Sequence, residues 1–163
     1  MKTKSIISLS ILACAAVLFY NCGGNAAAKM IVKKWQWQSI QSAAMDKQMA
    51  DLKMAADTTK DSSAKANAQN NLMMMSGIME DYKKTTMEYK ADGTFELNMA
   101  IMGQNQTQKG KWSLTPDGKK LITIDEKKPT PDTVDVTVSE DKLVLSPKEK
   151  DGSATTITCA VAK

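Results

Sequence analysis

The sequence predicts a mainly β protein, a small eight-stranded antiparallel barrel with a two-helix insertion after its first strand. Three observations predict it. From about residue 84 onward, short runs of Thr, Val, Ile and Leu alternate apolar with polar residues and are broken by Asp-Gly pairs, the mark of strands joined by tight turns. Each run has one dry face and one wet face, which suits a sheet that closes on itself. Between the first such run and the second, the letters change to Ala, Met, Gln and Asn, with apolar residues recurring every third or fourth position.

The chain opens with Lys2 and Lys4, followed by an apolar run from Ser5 to Tyr20. That layout is a secretory signal, and the run is shorter than the roughly 20 apolar residues a spanning helix needs. Leu18-Phe19-Tyr20-Asn21-Cys22-Gly23-Gly24 resembles the end of a bacterial lipoprotein signal, in which the cysteine becomes the acylated first residue of the mature chain. The resemblance implies a signal peptide at 1–21, lipidation of Cys22, a tether at 22–34 and a folded domain at 35–163. Two other processing points stay open: Cys14, preceded by Ile11-Leu12-Ala13, and an A-x-A site at Ala26-Ala27-Ala28. No acidic cluster follows Cys22, a pattern similar to that of outer-membrane lipoproteins facing the periplasm.

Within the domain, Trp35 and Trp37 share one face of an opening strand while Gln36 and Gln38 take the other. The helical insertion is expected over 39–84. Met45, Met49, Leu52 and Ala56 form the apolar stripe of its first helix. Asp57 to Ser63 is a polar break that offers Asp61 or Ser62 as the next N-cap. Ala68, Leu72, Met75, Met79 and Tyr82 then mark the second helix.

The remaining strands follow in meander order. Met87 and Tyr89 lead into the Asp92-Gly93 turn; Phe95, Leu97, Met99 and Ile101 return; Gly103 to Thr107 is read as the next turn. Trp112 and Leu114 precede Pro116-Asp117-Gly118, and Leu121 to Ile124 form the next strand. Lys127 to Pro131 is a connector, because Pro129 and Pro131 resist strand pairing. Val134, Val136 and Val138, then Leu143 and Leu145, then Ile157, Cys159 and Val161 complete eight strands, with turns at 139–141 and at Asp151-Gly152.

Composition narrows the chemistry. The 163 residues include no His and no Arg, so no imidazole relay, no His metal ligand and no guanidinium fork is available. A net charge of +4 spread over lysines and acids does not indicate a nucleic-acid partner. Asp125-Glu126 and Glu140-Asp141 sit in turns, where adjacent carboxylates serve the turn rather than acid–base chemistry. The chain is therefore read as a non-enzyme without cofactor or metal. An enzyme using only Asp, Glu and Lys is the remote alternative.

Trp35, Tyr89-Lys90-Ala91-Asp92-Gly93-Thr94-Phe95, Gly110-Lys111-Trp112-Ser113-Leu114, Lys120 to Ile124 and Asp141 to Leu145 resemble, in order and spacing, the lipocalin-like domain family of Bacteroidetes-type lipoproteins. Lys33-Lys34 stands where that family usually has a Gly, and the Met-rich helical insertion departs from it. The resemblance implies a small barrel or cup and lends no catalytic residues.

Such a barrel is either filled by its side chains or holds one small ligand. Ten of the twelve methionines lie between Met45 and Met102, and Met-rich faces adapt to varied apolar partners. The expected function is a lipid-anchored envelope protein that binds a small apolar molecule. Its expected lining is Trp35, Trp37, Met87, Tyr89, Phe95, Leu97, Met99, Ile101, Trp112 and Leu114. The competing expectation is a filled barrel that serves as a structural or protein-interaction module against an envelope partner.

Overall fold

The computed structural model describes residues 26–101, 103–148 and 155–163. The signal segment, Cys14, Cys22 and the Asp151-Gly152 turn lie outside the described residues. A short helix α1 (Ala26–Ile31) leads into strand β1 (Lys34–Ser42) and a helical hairpin of α2 (Ala43–Thr58) and α3 (Ser62–Tyr82). Seven strands follow: β2 (Thr86–Tyr89), β3 (Thr94–Ile101), β4 (Gln104–Leu114), β5 (Lys120–Asp125), β6 (Asp132–Val138), β7 (Lys142–Ser146) and β8 (Thr155–Val161). Each strand pairs antiparallel with the next, and β8 returns to β1 from Trp35↔Val161 to Ser42↔Thr155, closing an eight-stranded barrel.

The turns are built as the sequence requires. Gly93, Gly103 and Gly118 take positive φ of 82°, 76° and 70°, a backbone region open to glycine without steric cost. Asp92 Oδ1 accepts from the amide and hydroxyl of Thr94, and Asp117 Oδ1 accepts from the Thr115 hydroxyl and the Lys119 amide. Asp61 is the N-cap of α3, accepting from the amides of Ser63 and Ala64.

Three boundaries differ from the sequence reading. Residues 26–34 are not a free tether: α1 plugs one end of the barrel, with Ile31 fully buried in the core. The helical insertion is 43–82 rather than 39–84, because β1 runs on to Ser42 through a bulge between Trp37 and Ser39. That bulge absorbs one residue and returns Ile40 to the inner face. The third difference is the Gly103–Thr107 turn. Gln104 already pairs with Ile101, so the reversal is tight and β4 extends the barrel wall with polar residues.

Alternation and register place Trp35, Met87, Tyr89, Phe95, Leu121, Val136, Leu143, Leu145 and Cys159 inside, and all are buried. Fully burying a side chain such as Leu121 or Leu143 contributes roughly 1.5–3 kcal/mol. The helices are more loosely held. They pack mainly on each other and meet the barrel along β1 and β3. Each buries a single residue, Ala56 and Ala68, while Met54, Met73 and Met74 face solvent.

Candidate functional site

The barrel has two unlike halves. The end closed by α1 holds the fully buried Ile31, Trp35, Tyr89, Leu121 and Leu143. The Trp35 indole donates from Nε1 to the Ile31 carbonyl at 2.9 Å, and the Lys33 ammonium lies 5.8 Å from the Trp35 ring centroid on its outer side. The Tyr89 ring packs against Phe95 at 6.4 Å and edge-on to Trp112 at 5.4 Å, and its hydroxyl donates to Met87 Sδ at 2.9 Å. Trp112 ties the same end shut by donating from Nε1 to the Lys90 carbonyl at 3.0 Å. Gly110 makes room for Phe95: a Cβ there would lie 2.7 Å from Phe95 Cε1 and overlap the Ile124 carbonyl.

Burial shifts the acids of this half. Desolvation pushes the Tyr89 phenol far above its ordinary range, with the neighbouring Cys159 adding to it. Desolvation alone pushes the Cys159 thiol up to about 12. Both stay protonated near neutral pH, which gives neither the ionised form that nucleophilic or base chemistry uses.

At the other end, beneath α2 and α3, the wall is incompletely covered. Trp37, Ile40, Leu97, Met99 and Ile157 turn inward yet remain only half-buried. Leu97 faces Gln108 and Met99 faces Gln106 across the β3–β4 ladder, and both glutamines are exposed. A cavity of about 80 Å³ lies between β1 and α3, lined by Trp37, Ile40, Met79 and Tyr82 among others. Trp37 stacks on Tyr82 there, with centroids 5.9 Å apart and planes 25° from parallel.

Two polar groups stand out in this wall. Among the described residues, neither the buried Trp37 Nε1 nor the buried Thr85 Oγ1 has a hydrogen-bond partner. The two residues adjoin, since the Trp37 amide donates to the Thr85 carbonyl at 3.0 Å. A second hollow, about 340 Å³ and open to solvent, runs past Lys119, Asp135 and Ser146 on the outside. Asp135 there is paired with Lys120 at 2.8 Å.

Of the residues expected to line a ligand, Trp35, Met87, Tyr89 and Phe95 are buried in the core. Trp112 and Leu114 are half-buried at the end closed by α1, and Trp37, Leu97 and Met99 belong to the mouth. Ile101 continues β3 toward the mouth, but its side chain lies outside the described residues. Ile40, Met79 and Ile157 join the mouth set. Ile40 was hidden by the bulge, which breaks strict alternation. Thr85 gave no signal, being one of two adjacent threonines where a helix gives way to a strand.

Among the described residues, no three His, Cys, Asp or Glu side chains gather as metal ligands. None of the described helices is long and apolar enough to cross a membrane. No family model matches the chain, and no curated protein matches it either. Among solved structures, the chain is similar to As-p18, an extracellular fatty acid binding protein, at 10% identity and TM-score 0.41 over 82% of this chain and 97% of that one. It is also similar to a variant of the fluorescent protein UnaG, at 11% identity and TM-score 0.39 over 83% and 98% of the two chains.

Proposed function

We propose that this protein is a lipid-anchored envelope protein whose barrel mouth holds a small apolar or amphipathic molecule under a movable helical lid. One observation carries the reading: the barrel is stoppered by α1 at its base, while at the other end inward-facing Trp37, Leu97, Met99 and Ile157 are left half-buried beneath two helices that each bury one alanine. Apolar surface kept in that state is stabilised by a guest that removes it from water, at roughly 25 cal/mol per Å². The mechanism is passive desolvation, and the Met-rich helices adapt to the shape of the guest.

The anchor would be Cys22, and the lipocalin-like family of lipoproteins is the reading that joins anchor to barrel. Only Gly23 to Asn25 separate Cys22 from α1. At about 3.5 Å per extended residue, that spacing holds the closed base within roughly 15 Å of the bilayer. The mouth then opens away from an outer membrane, toward the periplasm.

One observation favours a filled barrel acting as an interaction module instead. The cavity between β1 and α3 is about 80 Å³, against roughly 300 Å³ or more for ordinary ligand pockets. On the ligand-binding reading, α3 must lift from β1 to admit a guest. Native mass spectrometry of the protein extracted from its own membranes separates the two. A co-purifying small molecule, together with faster exchange of α2 and α3 amides after its removal, is the expected result. A ligand-free mass with equally protected helices in every preparation overturns the binding reading in favour of the filled barrel.

A further inference from the structure

We infer that the mouth selects neutral amphiphiles bearing a hydrogen-bond acceptor, such as an alcohol, ketone or ester, and discriminates against free carboxylates. The inference rests on the ligand-binding reading above and deepens it. Its first ground is the pair of unsatisfied groups on the inner wall. A buried indole N–H or hydroxyl left without a partner is unfavourable, so an interior that retains two on neighbouring residues is suited to an occupant that satisfies them. Trp37 Nε1 can only donate, and the Thr85 hydroxyl can donate or accept. Trp37 lines the cavity and Thr85, its backbone partner, stands beside it, so a head group that accepts from the indole and exchanges a hydrogen bond with the hydroxyl would satisfy both. The adjoining cavity of about 80 Å³ has room for a head of a few heavy atoms but not for a long tail. The tail would run along Leu97, Met99 and Ile157 beneath the helices.

The second ground is charge. The inward strand positions that carry charge are Asp125, which faces Gly110, and Asp132, which faces Thr123, both at the mouth rim and both negative. Among the described strand residues, the lysines of β1, β4, β5 and β7 alternate onto the outer face. Lys83 borders the cavity, but it is exposed and its ammonium is 2.7 Å from Glu80. A carboxylate drawn into this wall would lose its water without meeting a free cation, which is unfavourable. A neutral acceptor pays no such charge penalty.

The test uses the full chain in lipid nanodiscs with 15N-labelled indoles, giving one Nε1–H signal for each of three tryptophans. Trp37→Phe identifies the Trp37 signal. The probes are octan-2-one, octan-1-ol, octanoate at pH 7.5, and toluene as an apolar control without a strong acceptor. Octan-2-one and octan-1-ol are expected to move the Trp37 indole signal downfield, with octanoate at least tenfold weaker. Thr85→Val is expected to weaken octan-1-ol about tenfold and leave toluene unchanged. Partition into the disc is common to wild type and variant, so it cancels in that comparison. If toluene binds but the neutral oxygenated probes leave the Trp37 signal unmoved, or Thr85→Val changes nothing, the acceptor subsite is wrong and the two groups merely hold internal water. Octanoate binding as tightly as octan-1-ol overturns the charge argument. If no probe binds at all, the ligand-binding reading fails with it.

Discussion

The Trp35 indole donates from Nε1 to the carbonyl of Ile31, four residues upstream, at 2.9 Å, and both residues are fully buried. This bond fastens α1 across the base of the barrel and satisfies the one polar atom that a core tryptophan brings with it. The base is thereby a stopper made from the chain's own N-terminal segment. Residues 26–31 belong to the domain, and shortening the chain past them removes part of its core.

Ile31→Ala tests the stopper without touching the hydrogen bond, because the acceptor is a main-chain oxygen. The expected loss is about 2–4 kcal/mol of unfolding free energy, as for other buried aliphatic truncations. Urea denaturation of the variant measures it. A loss under about 0.5 kcal/mol would mean that α1 is not seated in the barrel.

Gly110→Ala is expected to destabilise by about 3 kcal/mol, since its Cβ would meet Phe95 Cε1 at 2.7 Å and overlap the Ile124 carbonyl. Adding Phe95→Leu should not restore stability, because the backbone carbonyl cannot move aside as a ring can. Full rescue in the double variant would show that the ring alone sets the constraint.

Cys159 should resist thiol reagents in the folded protein at pH 8 and react on unfolding, because burial pushes its thiol up to about 12. The same shift sets an alkaline limit. The unfolded thiol ionises from about pH 9 while the folded one stays protonated, so this contribution is intact below pH 9 and falls away toward pH 12. Tyr89, raised from 10 by burial, acts in the same direction. Cys159→Ala should flatten the pH 9–12 limb of a stability profile, and an unchanged limb would remove Cys159 from the account.

Asp61 holds the first turn of α3. Hydrogen bonds from the Ser63 side chain, then from the Ala64 and Ser63 amides, keep its carboxyl below the ordinary 3.8. Its contribution is present above that value and is lost as pH falls through the depressed folded value. Asp61→Ala should speed amide exchange in the first turns of α3 with β-strand exchange unchanged. Equal acceleration in the strands would mean that α3 and the barrel open as one unit.

Cys22→Ser should abolish the acyl mass and release the chain from membranes, with Cys14→Ser leaving both in place. Intact-mass analysis of membrane and soluble fractions distinguishes them. A soluble wild-type chain beginning near Lys29 would instead support cleavage after Ala28.

Local chemistry made the strands, turns and helices legible. A period of two, punctuated by Asp-Gly, names β3 and β5 to β7 almost residue by residue, because side chains must alternate whatever lies across the sheet. The stripe through Met45, Met49, Leu52 and Ala56 names α2 for the equivalent helical reason. The reading slipped where pairing overrode local letters. Gly103 to Thr107 looks like a loop, yet Gln104, Gln106 and Thr107 are strand because β3 supplies their partners.

Alternation thus determined which residues face the axis, Trp35 and Trp37 alike. It could not say that Trp35 would be sealed in the base while Trp37 was left at the mouth. Depth along the axis follows from closure of β1 on β8, the bulge after Trp37 and the seating of α1, all of which join segments far apart in the chain. Those contacts also bring Thr85 beside Trp37. Side-chain direction is a local property of the backbone, whereas exclusion of water is a property of the whole enclosure.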